Sequence, residues 1–390
     1  MRIRTAGLLA YQQVYQIGPK WVSETEDQAW PAIPTADNSS IDSGLDGWKK
    51  FKSTVDKSIK TGSTFTTQAV NTYALVYSAN GGFLYHGGVL SQSGEVHFVP
   101  SWANRGQKVS TLNNSVSTYN LVYTTFFAYA GGVLAPNGDI HFVPYGATVG
   151  QKINSSGVVS TYTIIDGGYV GGVLATNGEI HFIGPGGNGV GQKISTSGTA
   201  STYSLIYTAG TFAGGVLAPN GDIHFVPYNA AVGQKVSTSG TVSTYSLIHT
   251  RSGAYSGGVL APNGDIHFVP HYATVGQKVS MNGTVSTYSL AYTLNDPAYS
   301  GGILAPTGEI HFIPFLATVG QKIKIDGIIS TYSLTYTSSG ATGIFYNGVL
   351  GPNGEIHFVP YQGDRGQRIS TLPAIPFSQS LCQSPFFNKY

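Results

Sequence analysis

The amino-acid sequence predicts an all-β fold: a seven-bladed β-propeller of four-stranded antiparallel blades, closed by an N-terminal strand that completes the last blade. Three observations carry that prediction. A near-verbatim motif, Gly-Gly-Val-Leu-Ala-Pro-Asn-Gly-Asp-Ile-His-Phe-Val-Pro, recurs with its histidine at His97, His141, His181, His224, His267, His311 and His357. The intervals are 44, 40, 43, 43, 44 and 46 residues, and each holds four short strand-like segments separated by turn residues, as a propeller blade does. The third observation is a mismatch at the ends, with one fourth-strand motif before the first repeat and none after the last.

Within a repeat, the first strand reads Gly-Gly-Val-Leu-Ala, as at Gly131 to Ala135, and ends in a Pro-Asn-Gly turn whose Asn and Gly tolerate positive φ. Asp139 to Pro144 gives the second strand. Val149 to Ile153 gives the third, closed by a Ser155-Ser156-Gly157 type of turn. The fourth is Ser-Thr-Tyr-Ser-Leu-Ile-Tyr, as at Ser201 to Tyr207. One such blade buries too little apolar surface to stand alone, so the blades must stack. The orphan fourth strand, Asn71 to Tyr77, is predicted to pair with the last repeat, which runs out at Leu372-Pro373. That pairing would close the ring and remove a free edge.

Composition agrees with short strands and tight turns. Glycine supplies 52 of 390 residues and charged residues only 10%. A net charge of +2 lacks the clustered Lys and Arg of a nucleic-acid footprint. Cys382 is the one cysteine, so no intrachain disulfide can form. The apolar stretch after Arg4 is too short for a secretory leader, and no run reaches the length of a membrane span. Synthesis and folding in the cytoplasm are the expectation.

The organisation predicted is an N-terminal arm over 1–68, the propeller over 69–372 and an apolar tail over 373–390. The arm carries 15 of the 38 charged side chains and three of the four tryptophans. Within it a helix is predicted near 44–60, where Leu45, Trp48, Val55 and Ile59 form a stripe that Phe51 widens. That stripe reads first as a cap on the propeller, then as a docking face for another subunit, and last as a membrane contact. The tail, with Leu381, Phe386, Phe387 and Tyr390, is expected to pack on the propeller or on a partner.

Residues repeated in every blade are predicted to serve the fold. Seven histidines in one context read as buried side chains with backbone or hydroxyl partners. The preceding acids (Glu95, Asp139, Glu179, Asp222, Asp265, Glu309, Glu355) read as turn or cross-strand acceptors, and the Gln-Lys pairs as structural. No nucleophile elbow, metalloprotease helix, cysteine cluster or phosphate loop appears, so no catalytic residue, metal or cofactor is predicted. The expectation is that the chain is not an enzyme. An enzyme would need an unrepeated acid/base pair in the central channel.

Function is therefore sought where the repeats differ. The loops from fourth to first strand and from second to third strand vary most, and a four-stranded meander brings both to one rim. That rim is predicted to display Phe83, Tyr85, Trp102, Phe126, Phe127, Tyr129, Tyr169, Phe212, Tyr255, Tyr299, Phe345 and Tyr346 as partner-binding aromatics, with Tyr145, Tyr228, Phe315 and Tyr361 alongside. A polar seam is predicted between the first and last blades, where Ala103-Asn104-Arg105-Gly106 and Gly363-Asp364-Arg365-Gly366 replace the usual Ala-Thr-Val-Gly. It would bring Arg105 close to Asp364 and Arg365.

The Gly-Gly-Val-Leu-Ala-Pro-Asn-Gly…Ile-His-Phe-Val-Pro repeats resemble a propeller repeat of predicted structural proteins in tailed phages, marine ones in particular. More loosely they resemble kelch-like and surface-protein propellers. The resemblance spans roughly residues 71–372. It implies a virion component, in tail, fibre or capsid attachment, made in the host cytoplasm and using the propeller as a platform. Its partners would be other virion proteins, with a host-surface glycan or receptor as a further candidate and several copies in one assembly. A soluble carbohydrate-binding propeller is the alternative, because aromatic faces stack on sugar rings.

Overall fold

The computed structural model describes residues 69–78, 82–184, 189–338 and 342–371. The predicted helix near 44–60, the rest of the arm and the tail lie outside the described residues. Among those described, 28 strands form seven separate four-stranded antiparallel sheets. Blades one to six span 85–120, 129–162, 171–204, 212–246, 255–289 and 299–333. The seventh combines the three strands of 345–370 with the N-terminal strand Val70–Ala74. That strand runs antiparallel to Arg365–Ser370, from Val70 opposite Ile369 to Ala74 opposite Arg365. The ring is closed as the sequence predicts.

Each repeated residue has a task in the blade. Tyr119 of the outer strand stands opposite Gly106, and its ring lies on that glycine; a Cβ there would come within 2.1 Å of it. The same ring reaches across to His97, whose Nδ1 is 3.4 Å from the Tyr119 hydroxyl. Five further blades repeat the pair at 3.1–3.4 Å, as in His141–Tyr162 and His224–Tyr245. In blade seven the closing strand supplies Tyr73, which covers Gly366 and stacks beside His357 at 5.9 Å. Burial holds these histidines neutral, with pKa values lowered to about 4 in six blades and to about 3 at His311.

The acid before each histidine pairs with the third-strand cation: Asp139–Lys152 at 2.6 Å, Asp265–Lys278 at 2.6 Å and Glu355–Arg368 at 2.6 Å. The third-strand glutamines, fully buried, reach the neighbouring blade instead. Oε1 of Gln234 accepts from the backbone N–H groups of Ile206 and Tyr207, and Oε1 of Gln107 from those of Val76 and Tyr77 after the closing strand. This clasp explains why the outer strand of blade three ends at Ser204 and not at Tyr207. Beyond Ser204 the backbone donors turn to the next blade's glutamine. Six of the repeated histidines have the hydroxyl partner that the sequence predicts, while neither ring nitrogen of His357 makes a hydrogen bond.

The inner strands begin two residues earlier than the Gly-Gly motif predicts, at Tyr85, Tyr129, Phe212, Tyr255, Tyr299 and Phe345. These six and Tyr169 are at most 2% exposed, so seven of the aromatics assigned to the partner-binding rim are core residues. The reason is the strand period. One residue of each inner strand must face the space between blades, and the first aromatic fills it. The hydroxyls of Tyr85, Tyr255 and Tyr299 donate to the first carbonyl of their blade's third strand at 3.2 Å, and that of Tyr129 to Val149, just before its third strand, at 3.1 Å. A β-bulge follows this aromatic in the inner strands that begin with it, with the next-but-one residue in the left-handed region, as at Gly87 (φ +86°) and Gly257 (φ +92°). Adjoining inner strands touch around the whole ring. At Gly257 a Cβ would stand 2.7 Å from the Cα of Gly301, so only glycine permits that approach.

Candidate functional site at the channel mouth

In six blades the bulge sets one residue between the strand-opening aromatic and the left-handed position, and Val170 holds the equivalent place in blade three, where no bulge forms. These are His86, Ala130, Val170, Ala213, Ser256, Ser300 and Tyr346: one position, repeated in place and unrepeated in identity. Tyr346 dominates the set. Its ring stacks on His86 of blade one, with centroids 3.7 Å apart, and its hydroxyl lies 3.0 Å from Ser256 Oγ of blade five. A bond from blade seven to blade five passes blade six, so Tyr346 crosses the channel. Its backbone is supported by Asn347, which takes φ +66° where five other blades have a left-handed glycine.

A second ring stands outside the first, at the residue that follows the second-strand proline. It reads Ser101, Tyr145, Tyr228, His271, Phe315 and Tyr361 in six blades; blade three has Gly184 in place of the proline. Loop aromatics join this ring into one surface. Phe126 packs on Trp102 (5.1 Å), Trp102 on Phe83 (5.0 Å) and Phe83 on Tyr361 (4.9 Å). Tyr361 meets Tyr346 (5.4 Å), Tyr346 meets Phe315 (6.0 Å), Phe315 meets His271 (5.5 Å), and His271 meets Tyr228 (5.8 Å). The chain of rings runs through five blades. Fourth-to-first and second-to-third loops therefore share one rim, and their aromatics form a continuous mouth around the channel.

Electrostatically the mouth is neutral. Burial lowers the pKa of His86 to about 4, although part of its edge reaches solvent, and does the same to His271, whose Nδ1 lies 2.7 Å from the Tyr299 carbonyl. Burial pushes Tyr346 up to about 12, against the lowering effect of its bond to Ser256. Tyr145 and Tyr228 are near enough that their ionised forms would repel those of Tyr346 and Tyr361. Among the described residues no group of three or more His, Cys, Asp or Glu is placed to hold a metal.

Of the rim residues assigned from sequence, the mouth unites Phe83, Trp102, Phe126, Phe127 and Tyr346. The seam does not assemble as expected. Arg365 pairs with its own neighbour Asp364 at 2.9 Å and lies 4.9 Å over Tyr336. Arg105 is exposed at the start of the equivalent strand of blade one, and no contact among the described residues joins it to Arg365. Arg365 is satisfied by its own neighbour, so proximity of blades does not become proximity of charges. Sequence reasoning missed His86, Ser256 and His271. The available signal was the histidines outside the repeated position, which are His86, His249 and His271.

No family model matches the chain, and no curated protein matches it. Solved structures do. One is a catalytically inactive His-to-Ala variant of virginiamycin B lyase from Staphylococcus aureus with quinupristin, at TM-score 0.67 and 16% identity over 78% of this chain and 99% of that one. A streptogramin B lyase matches at 0.68 and 19%, over 79% and 99%. Hydrazine synthase of Kuenenia stuttgartiensis matches at 0.59 and 12%, over 76% and 98%. The likeness is one of fold. At these identities it carries no activity across, and neither the phage nor the kelch-like resemblance is represented among these structures.

The comparison does correct one expectation, that the chain is not an enzyme. That expectation rested on reading the propeller as a scaffold, whereas propellers named as lyases share this architecture over nearly their whole length. His86 and Tyr346 are unrepeated titratable residues stacked on one another at the mouth.

Proposed function

We propose that this propeller is a recognition platform whose aromatic mouth engages a partner, and that it works as a component of a tailed-phage virion. The observation that carries the first part is the mouth itself. Seven blades built on nearly identical sequence differ most at two rings of positions, and those rings join into one aromatic surface. A fold that needed only stacking would repeat these residues as it repeats its histidines. Large, stiff aromatic side chains are the ones that carry binding energy at contact sites. Support for the second part is the resemblance of the repeats to phage structural proteins. Mass spectrometry of virions purified from the phage that encodes the chain tests it. The protein should be present at stoichiometric abundance, and its absence would refute the virion reading.

A second reading is favoured by the stacked His86 and Tyr346. His86 is neutral at physiological pH and could accept a proton only as a weak base, its pKa being about 4, with the Tyr346 hydroxyl as a donor. With the mouth as the binding surface, this pair would move a proton on a bound ligand. His86→Gln, which keeps size and polarity, would then abolish turnover of that ligand while leaving its affinity within about threefold.

A further inference from the structure

The mouth has a chemical character that narrows its ligand. This inference rests on the reading of the mouth as the recognition surface. Its facing groups are of two kinds, planar rings and neutral hydroxyls. Flat apolar surface is exposed at one side, where Phe126 is 73% exposed, Tyr145 41% and Phe127 37%, next to Trp102. Hydroxyls and an amide gather toward the other: Tyr228, Tyr346, Tyr361, and Asn229 with Ser252, while Ser256 is buried and bonded to the Tyr346 hydroxyl. The nearest cations are engaged elsewhere, Arg251 with the Tyr272 carbonyl at 2.7 Å and Arg365 with Asp364. His86 and His271 are neutral. No charged side chain belongs to the chain of rings itself; Arg251, bonded to a neutral carbonyl, keeps its charge beside Ser252.

The backbone is set for this display. Only three non-glycine residues among those described take left-handed φ, and two of them serve the mouth: Phe127 (φ +53°) and Asn347 (φ +66°). The Phe126-Phe127 turn is held in place by Gly146, whose N–H donates to the Phe127 carbonyl at 2.8 Å. A bulky residue in this conformation is an outlier kept against its own preference, and such outliers cluster at functional positions.

We propose that the mouth binds a neutral carbohydrate. A pyranose ring offers C–H faces that lie flat on aromatic planes and equatorial hydroxyls that exchange hydrogen bonds with tyrosine, serine and amide groups. It needs no charge from the protein. Nucleotides, phosphorylated ligands and acidic sugars would find no cation on the rings, with Arg251 outside them as the group to neutralise their charge. An aromatic-rich protein partner is the other occupant such a surface could take, and the experiment separates the two.

The full-length chain, with Trp21, Trp30 and Trp48 changed to Phe so that Trp102 reports alone, is applied to an array of neutral and acidic oligosaccharides. Hits are titrated by Trp102 fluorescence. The expected result is binding confined to neutral glycans, weakened at least tenfold by Phe126→Ala and by Tyr145→Ala. Phe127→Gly keeps the left-handed turn and deletes the ring, so it should weaken binding equally while leaving the melting temperature unchanged or higher. A fold defect would lower it. Absence of any neutral-glycan binding, preference for acidic glycans, or binding indifferent to all three substitutions overturns the inference. If glycans fail but the same substitutions still stop a soluble propeller from competing for virion attachment, the partner is a protein. The platform reading then stands without the carbohydrate.

Discussion

The ring is held shut by one short strand, and Tyr73 is the residue through which its hold can be measured. Tyr73 lies flat on Gly366 and beside His357, while its strand shares a five-residue register with the last strand of the chain's final repeat. Tyr73→Ala removes a half-buried ring worth about 2–3 kcal/mol of burial. At about 1.4 kcal/mol per tenfold change, opening of the seam should become about 30- to 150-fold more frequent. Hydrogen exchange should read this as faster exchange of amides in 70–74 and 365–370, followed by a lower global melting temperature. Tyr245→Ala is the control. It removes an equivalent ring, over Gly233 and bonded to His224, from an outer strand that the chain joins directly to its own blade. Its effect should stay within blade four and cost less in global melting temperature. Equal losses, with exchange confined to the mutated blade in both proteins, would refute the idea that the N-terminal strand locks the ring.

Three further outcomes follow from the repeated core. The buried histidines have folded pKa values near 4, below the unfolded value of 6.5, so the unfolded chain binds more protons between those limits. Stability should be full above about pH 6.5 and fall steeply as pH drops toward 4; a flat melting temperature from pH 7.5 to about 4.5 would contradict it. Gly233→Ala places a Cβ 2.1 Å from the Tyr245 ring and should cost about 1–3 kcal/mol in denaturant titration, where Gly157→Ser, at a turn with open space around it, costs only the strain of its positive φ. Gln234→Leu leaves two backbone donors without their acceptor and should cost about 2–3 kcal/mol by the same titration.

The fold was legible because its signal is written seven times. The His-Phe-Val-Pro period sets the blade count, and the orphan motif near Tyr73 sets the closure. Strand ends were less legible. The clasp that stops the outer strand at Ser204 depends on Gln234, which lies 30 residues further on in sequence and in the next blade. The site was legible only in part, because Tyr85 and Tyr346 look alike in sequence. One opens an inner strand and is buried; the other follows it by one residue and turns into the channel. That difference is made by the bulge, and the Gly-Gly pair that marks the bulge reads equally well as the start of the strand. His86 and His271 were hidden for the opposite reason. Seven structural histidines drew attention to the repeat and away from the three that break it.

If the propeller is a recognition platform, the variable rim, and not its monotonous opposite, is the working face. In a Cys382→Ser background, a single cysteine is placed either at Thr125, beside Phe126, or at Ser239 in the exposed turn of the other rim. Each variant is coupled to a bulky polymer, and the soluble propeller is tested for its ability to compete with virions for attachment to host cells. Coupling at Thr125 should abolish competition and coupling at Ser239 should leave it intact. Loss of competition from Ser239 alone, or equal loss from both, would contradict the account.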